Sequence, residues 1–449
     1  MSKQKSKIIS ILLLASMAVS MLSGCAGSVT GNSEQPQTNS VSSLTSDSSS
    51  SEENSTVENS AESSTDEFLD EGSLVQSKKS SDEFEYDVYT NHIAITKYTG
   101  KSLKVKIPEE IDGLSVTELY SREDSQGIVS SSVTSVELPD TILWIGKNAF
   151  YKSQAKSINI PDSVRLIGKR AFTDCKNLEG IKLPSKLTTI GEYAFCNCSA
   201  ENAFDEKLII PDGVTEIPEG AFKATFDSLT PNFKELVIPD SVTLIQDRSF
   251  ENCKYLETIT FGKGVTEIGA DVFKSCESLK SLTIPENIKK INEQAFFGCG
   301  LESFTLPEGI ELTDGIFASN KNLEKAVIPK GVTYFESKWA DSPGRFLFSG
   351  CKNLKSVEIK SEEVPTDIFE KDSKLREVKL SNDVIKINRN AFGIERSYGD
   401  TTELSLHIPE SVEVIEDIGA PKDVTVIYGK KGSEAEKYAQ KNEYKFVQE

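Results

Sequence analysis

Leu256-Glu-Thr-Ile-Thr-Phe261, Gly264-Val-Thr-Glu-Ile-Gly269, Val272-Phe273 and Cys276, followed by Leu279-Lys-Ser-Leu-Thr-Ile284-Pro285, form the cleanest copy of a phrase that this chain repeats. Its marker phenylalanine recurs at Phe150, Phe172, Phe195, Phe222, Phe250, Phe273, Phe296, Phe317, Phe348, Phe369 and Phe392. Successive gaps are 22, 23, 27, 28, 23, 23, 21, 31, 21 and 23 residues. A period in this range with a short strand in each copy marks a solenoid, in which every repeat packs on its neighbours alone. The expected fold class is a β-rich repeat solenoid of parallel short strands, about 12 coils of about 23 residues each.

Three pieces can be read in each copy. L-x-x-I-x-I-P is a short strand with alternate residues pointing inward, closed by a proline that removes a ladder donor. V-x-x-I-G is a second extended piece, with its glycine expected at a bend of positive φ. A-F-x-x-C is a tight turn or a single helical turn that drops Phe and Cys into the interior. Coils stacked about 4.8 Å apart would make one parallel sheet, spanning on the order of 55 Å.

The flanks read differently. Lys3, Lys5 and Lys7 precede an apolar run from Ile8 to Leu22, a charged region and then a short hydrophobic one, as in a signal peptide over residues 1–24. The run is short for a membrane span, which needs about 20 apolar residues. It ends in Leu22-Ser-Gly-Cys25, which resembles the lipobox of bacterial lipoproteins. That resemblance implies diacylation of Cys25, and two acyl chains give stable anchoring where one is marginal. Residues 25–81 then collapse to Ser, Thr, Asn, Gln and Glu, a composition that cannot offset its ordering entropy and reads as a disordered tether. Over 82–132, Phe84, Tyr86 and Val88, then Ile93 and Ile95, then Leu103, Val105 and Ile107 alternate with polar residues as short antiparallel strands. They suit a small β cap and a first irregular coil, since a solenoid must cover its first apolar face. The regular coils occupy 133–423 and a C-terminal cap 424–449, where Ser433 N-caps a helix from Glu434 to Gln440 with Glu436 as its capping-box partner.

The repeat resembles the BspA-type leucine-rich repeats of bacterial surface proteins. Pro161-Asp-Ser-Val-Arg-Leu-Ile-Gly168, Ala171-Phe172, Cys175 and Leu178 carry the likeness, as does the tail Val424 to Ala439. It implies the fold over about Asp82 to the end and, more loosely, a role in adhesion or host-protein binding, with no single ligand shared by the family.

Composition narrows function further. The net charge of −20 argues against a nucleic-acid backbone or anionic lipid headgroups as partner. His92 and His407 are the only histidines, leaving little room for a His-based metal or catalytic site. Cys175, Cys198, Cys253, Cys276, Cys299 and Cys351 each lie three residues after the marker Phe, a shared buried slot. Neighbouring coils bring such cysteines within disulfide range at Cα, but parallel Cβ vectors favour a ladder of free thiols. Cys196-Asn-Cys198 lacks the second pair that zinc needs. Gly429-Lys-Lys-Gly-Ser433 lacks the phosphate-loop spacing, and no hydrolase, zinc or calcium-loop motif is present. The expectation is therefore a non-enzyme without cofactor or metal.

What remains is surface. The outward residue near the end of each strand reads Glu137, Asn159, Lys182, Ile209, Val237, Thr260, Thr283, Thr305, Val327, Glu358, Lys379 and His407. Its centre, Ile209 to Val327, is an uncharged stripe with mostly charged or polar ends. Such a stripe fits a binding surface, and equally fits good strand formers on an exposed face. Extra residues between Phe195 and Ile210, Phe222 and Ile238, Ile328 and Phe348, and Phe392 and Ile408 give a second pointer, because insertions in solenoids gather on one face. The Ile328–Phe348 insertion carries Phe335, Trp339, Pro343 and Arg345. Trp339 and Arg345 are interface-anchor residue types, and Trp339 could equally cover its own loop. The expected protein is a monomer, lipid-anchored and exposed at a bacterial cell surface, that captures an extracellular protein or glycan. The competing readings are a structural spacer of the envelope and, less favoured, a carbohydrate- or peptide-processing enzyme.

Overall fold

The hydrogen-bonding groups of each coil go to the coils on either side, and this organises the whole molecule. A computed structural model describes residues 72–225, 230–335, 344, 346–372, 374–394 and 400–449. The coils stack as a β-rich solenoid of short parallel strands. Not one but two columns of strands run along it. The L-x-x-I-x-I pieces form the first, for example Lys207–Ile209, Glu235–Val237 and Thr258–Thr260 paired in register. The V-x-x-I pieces form the second, two residues per coil, as at Leu244–Ile245, Glu267–Ile268 and Lys290–Ile291. Neither column is continuous. The first breaks between Thr258–Thr260 and Ser281–Thr283, and again between Ser303–Thr305 and Lys325–Ile328. Most coils have only two to four residues at each corner to pair, so a small shift of one coil ends the ladder.

The third corner is the phenylalanine turn. Around Phe172 the amides of Arg170, Phe172 and Asp174 donate to Glu192, Ala194 and Cys196 of the next coil. The intervening amides of Ala171, Thr173 and Cys175 close turns onto Gly168, Arg170 and Phe172 of their own coil. Alternation of this kind satisfies every backbone donor of the corner. It goes with one left-handed residue two positions before each marker Phe and, in most coils, another two positions after it. Asn148, Arg170, Tyr193, Arg248, Asp271, Gln294 and Asn390 hold the first position at φ between 52° and 59°.

Burial follows the letters of the repeat. Every marker phenylalanine is fully buried. Consecutive rings stack in one unbroken series, with centroids 5.3–5.6 Å apart from Phe150 to Phe296. From Phe296 to Phe392 the spacing is 6.0–6.3 Å. The slot cysteines are free thiols. Each donates to the marker-Phe carbonyl of the coil before it, as Cys175 does to Phe150 at 3.0 Å and Cys299 to Phe273 at 3.1 Å. Asn320 fills the same slot and donates to Phe296 at 2.9 Å. Burial pushes the thiols up, to about 12 at Cys299, so they stay protonated and serve as donors.

Glycine after the second strand has another cause than the expected bend. Gly146, Gly168, Gly191 and Gly269 do not take positive φ. They sit where the backbone of one coil nearly touches the last: a Cβ on Gly168 would lie 2.9 Å from the Gly146 carbonyl carbon.

The N-terminal cap has three antiparallel strands, β1 (Leu74–Ser80), β2 (Phe84–Tyr89) and β3 (Ile93–Tyr98). β1 falls inside the 25–81 stretch whose composition reads as tether; its residues are almost all exposed, and pairing with β2 rather than burial holds it. The Leu103–Ile107 segment is no third antiparallel strand of the cap. Its core, β4 (Lys104–Lys106), pairs parallel with Ser135–Glu137 and begins the first column. β5 (Glu110–Ile111) and β6 (Leu114–Leu119) complete the region, and β6 joins β3 to the second column. Asp87, buried in the cap, is paired with Arg122 and accepts from Tyr120 and from the Lys78 amide.

At the other end helix α1 (Glu434–Asn442) runs two residues past Gln440 and has Ser433 as its N-cap as expected: the Glu436 amide donates to Ser433 Oγ, while Glu436 Oε2 accepts from the Gly432 amide at 2.6 Å and not from that of Ser433. Ala435 and Ala439 face inward, closing the last coil. The chain then adds a strand, Lys445–Gln448, parallel to Thr425–Gly429. Residues 1–71, with the leader, Cys25 and most of the tether, lie outside the described residues.

Candidate binding surface

Along the first column the outward side chains of successive coils come into register. Ile209, Val237 and Thr260 are direct partners across three strands, and Thr283 and Thr305 across the next two. Val327 opens a third group, and its partner is Glu358. The stripe therefore runs over six coils in three paired groups. Ile209 is 55% exposed and Val327 46%, both high for aliphatic side chains. Thr260, Thr283 and Thr305 are exposed and Val237 half-buried.

Period-two geometry makes the stripe wider than one residue, which the single-position reading missed. Thr258, Ser281 and Ser303 also face out, two residues before Thr260, Thr283 and Thr305. The signal was in the sequence: in L-x-x-I-x-I both residues flanking the inward Ile must share the outer face. The centre is thus a block of six hydroxyl side chains with Ile209, Val237 and Val327 at its ends. Neighbouring charges compensate each other across coils, Lys207 with Glu235 at 3.3 Å, Lys234 with Glu206 at 2.8 Å, Lys280 with Glu302 at 3.9 Å and Lys355 with Glu324 at 2.7 Å. Exposed pairs like these add little stability, but they leave the rim of the stripe without a strong net sign.

Other parts of the sequence-derived surface fall elsewhere. Lys182 stands opposite the inserted segment, not Ile209: Ile181 bridges Phe204, and Lys182 lies 4.0 Å from Asp205. Two of the four insertions turn inward. Phe204 and Phe233 are buried, stand edge-on to one another with centroids 5.7 Å apart, and pack against the marker rings. Asn232 ties the two insertions together by both accepting from the Phe204 amide and donating to its carbonyl. An aromatic ring every few residues is apolar surface seeking cover, and here the core supplies it. Phe335 is 42% exposed, while Trp339 and Arg345 lie outside the described residues.

No chemistry-bearing constellation accompanies the stripe. Among the described residues no group of three His, Cys, Asp or Glu side chains could hold a metal ion, and no helix is long and apolar enough to cross a membrane. A family model described as the BspA type leucine-rich repeat region matches six copies over residues 129–227, 223–342 and 338–418. The chain belongs to the BspA-type leucine-rich repeat family.

Other comparisons bear on the fold of this BspA-type protein. A leucine-rich repeat protein from Bacteroides ovatus is similar at a TM-score of 0.52 and 20% identity, covering 83% of this chain and 99% of that one. A leucine rich cell surface protein from Faecalibacterium prausnitzii gives 0.47 and 22%, covering 80% and 96%. The first of these carries a likeness of fold, and neither says anything about ligand. No curated protein matches the chain.

Proposed function

We propose that this BspA-type chain is a cell-surface binding protein that captures an extracellular protein or glycan on the outer face of its first strand column. The observation that carries the reading is the uncharged row from Ile209 to Val327, where aliphatics flank threonines, widened at its centre by Thr258, Ser281 and Ser303, inside a charge-balanced rim. An uncharged surface inside a charge-balanced rim fits a recognition face, and shape rather than charge would select the ligand. With cells displaying the chain, Thr260→Glu, Thr283→Glu and Val327→Glu together should cut ligand capture or adhesion at least tenfold. A carboxylate at the centre of a desolvated contact costs several kcal/mol unless paired. The three positions are exposed, so the thermal transition should hardly move. Undiminished capture would remove the stripe as the capture site.

Anchoring rests on Leu22-Ser-Gly-Cys25. A diacylated Cys25 would hold the protein at the membrane, and the Ser-rich segment after it would give reach. Cys25→Ala should shift the protein from the membrane fraction to the medium or the soluble fraction. Retention of the alanine variant on membranes would refute lipidation as the anchor.

A further inference from the structure

The slot three residues after the marker phenylalanine has a chemistry that can be read coil by coil. Six cysteines and Asn320 use it to donate a hydrogen to the phenylalanine carbonyl of the preceding coil. Asp372 occupies the same slot after Phe369. An ionised carboxylate has no hydrogen to give. Asp372 is fully buried, and neither of its oxygens has a hydrogen-bond partner. The amides of Gly350 and Cys351 approach it and favour its ionised form, an effect that burial outweighs. Both are already committed, to Glu370 O at 2.9 Å and Phe348 O at 3.0 Å. From the coil beneath, the titratable group it meets is the Cys351 thiol, itself held protonated by burial. On its own turn Glu370 and Lys371 pair with each other at 3.5 Å, and among the described residues no cation offsets a charge on Asp372.

A bare carboxylate in this place would be far costlier than a neutral one. We infer that Asp372 is carried as the neutral acid and that its hydroxyl takes the thiol's place as donor to the Phe348 carbonyl, so that the joint between these two coils depends on one proton. Burial pushes its pKa up to about 9. The folded chain thus keeps a proton that the unfolded chain loses near its ordinary value of about 4. Where the folded state binds more protons, stability falls as pH rises. The contribution is whole below about pH 4, is lost progressively up to about pH 9, and changes no further above that. The joint lies where the ring stack is already wide, 6.0 Å between Phe348 and Phe369 against 5.3 Å between Phe222 and Phe250.

The test compares thermal unfolding of the full chain with that of Asp372→Asn and Asp372→Cys, both residue types that this slot accepts in other coils. From about pH 5 to about pH 9 the wild-type transition should fall by several degrees more than either variant's, with the three curves converging at the acid end. Parallel curves across that range would overturn the inference. Infrared absorption gives an independent reading: at neutral pH the wild type should show a protonated-carboxyl carbonyl band that Asp372→Asn lacks. Its absence from the wild type would equally overturn it.

Discussion

Phe273→Ala should destabilise the array by about 3–5 kcal/mol, the range for removing a fully buried aromatic side chain. The ring is 0% exposed. It is stacked 5.6 Å from Phe250 and 5.4 Å from Phe296, and Phe261 meets it edge-on at 6.1 Å. Truncation therefore leaves a cavity and ends two stacked contacts, each worth about 0.5–1.5 kcal/mol beyond area. Because each coil touches only its neighbours, both interfaces of one coil weaken together. Amide exchange should quicken over about residues 256–301, while the cap strands β2 and β3 keep their protection. Phe392→Ala makes the internal comparison: its one marker neighbour, Phe369, lies 6.3 Å away, so its loss should cost less. Equal effects at the two positions would mean that the ladder is not what couples the coils.

The phenylalanine ladder was legible in the sequence because apolar periodicity reports burial directly, and so was the thiol slot. Both strand pieces were legible too, since alternation fixes which residues face in. Harder to read was what depends on how two backbones meet. The left-handed residues flanking each Phe are Asn148, Arg170 and Tyr193 on one side, and Lys152, Asp174 and Asn197 on the other. Only some of these types signal positive φ, because tertiary hydrogen bonding to the next coil imposes it. β1 was hidden for a related reason: its residues Leu-Val-Gln-Ser-Lys-Lys-Ser are nearly all exposed, so no burial pattern betrays the pairing. On the candidate binding face the letters Ile209, Val237 and Thr260 were readable, but not that the inserted Phe204 segment, in place of Ile209, stands opposite Lys182. That depends on an aromatic ring finding cover inside, a competition between core and surface that a linear pattern does not record.

The glycine of the second strand piece gives the sharpest separation of these two kinds of information. Gly191→Ala should cost roughly 1–3 kcal/mol or more, the range for forcing atoms into packed space. An added Cβ would stand 2.3 Å from the Lys169 nitrogen and 2.5 Å from the Gly168 carbonyl carbon. Both are backbone, so relief requires the two coils to move apart. That movement would strain the bond from the Gly191 amide to Ile167 O, now 2.7 Å long. Other coils place Pro218, Gln246 and Asn292 at this position, so it is not closed to a side chain in every coil. Gly180→Ala is the complementary change: nothing lies within 4 Å of its Cβ, but its φ is +69°. That variant should lose about 1 kcal/mol through backbone conformation alone. Chemical denaturation of the two variants side by side decides between the causes. If Gly191→Ala proves no costlier than Gly180→Ala, close approach is not the reason for glycine there. If it is clearly costlier, the Ile-Gly pair of the repeat sets the distance between coils, and its loss at 218, 246 and 292 marks where that distance is set by other groups.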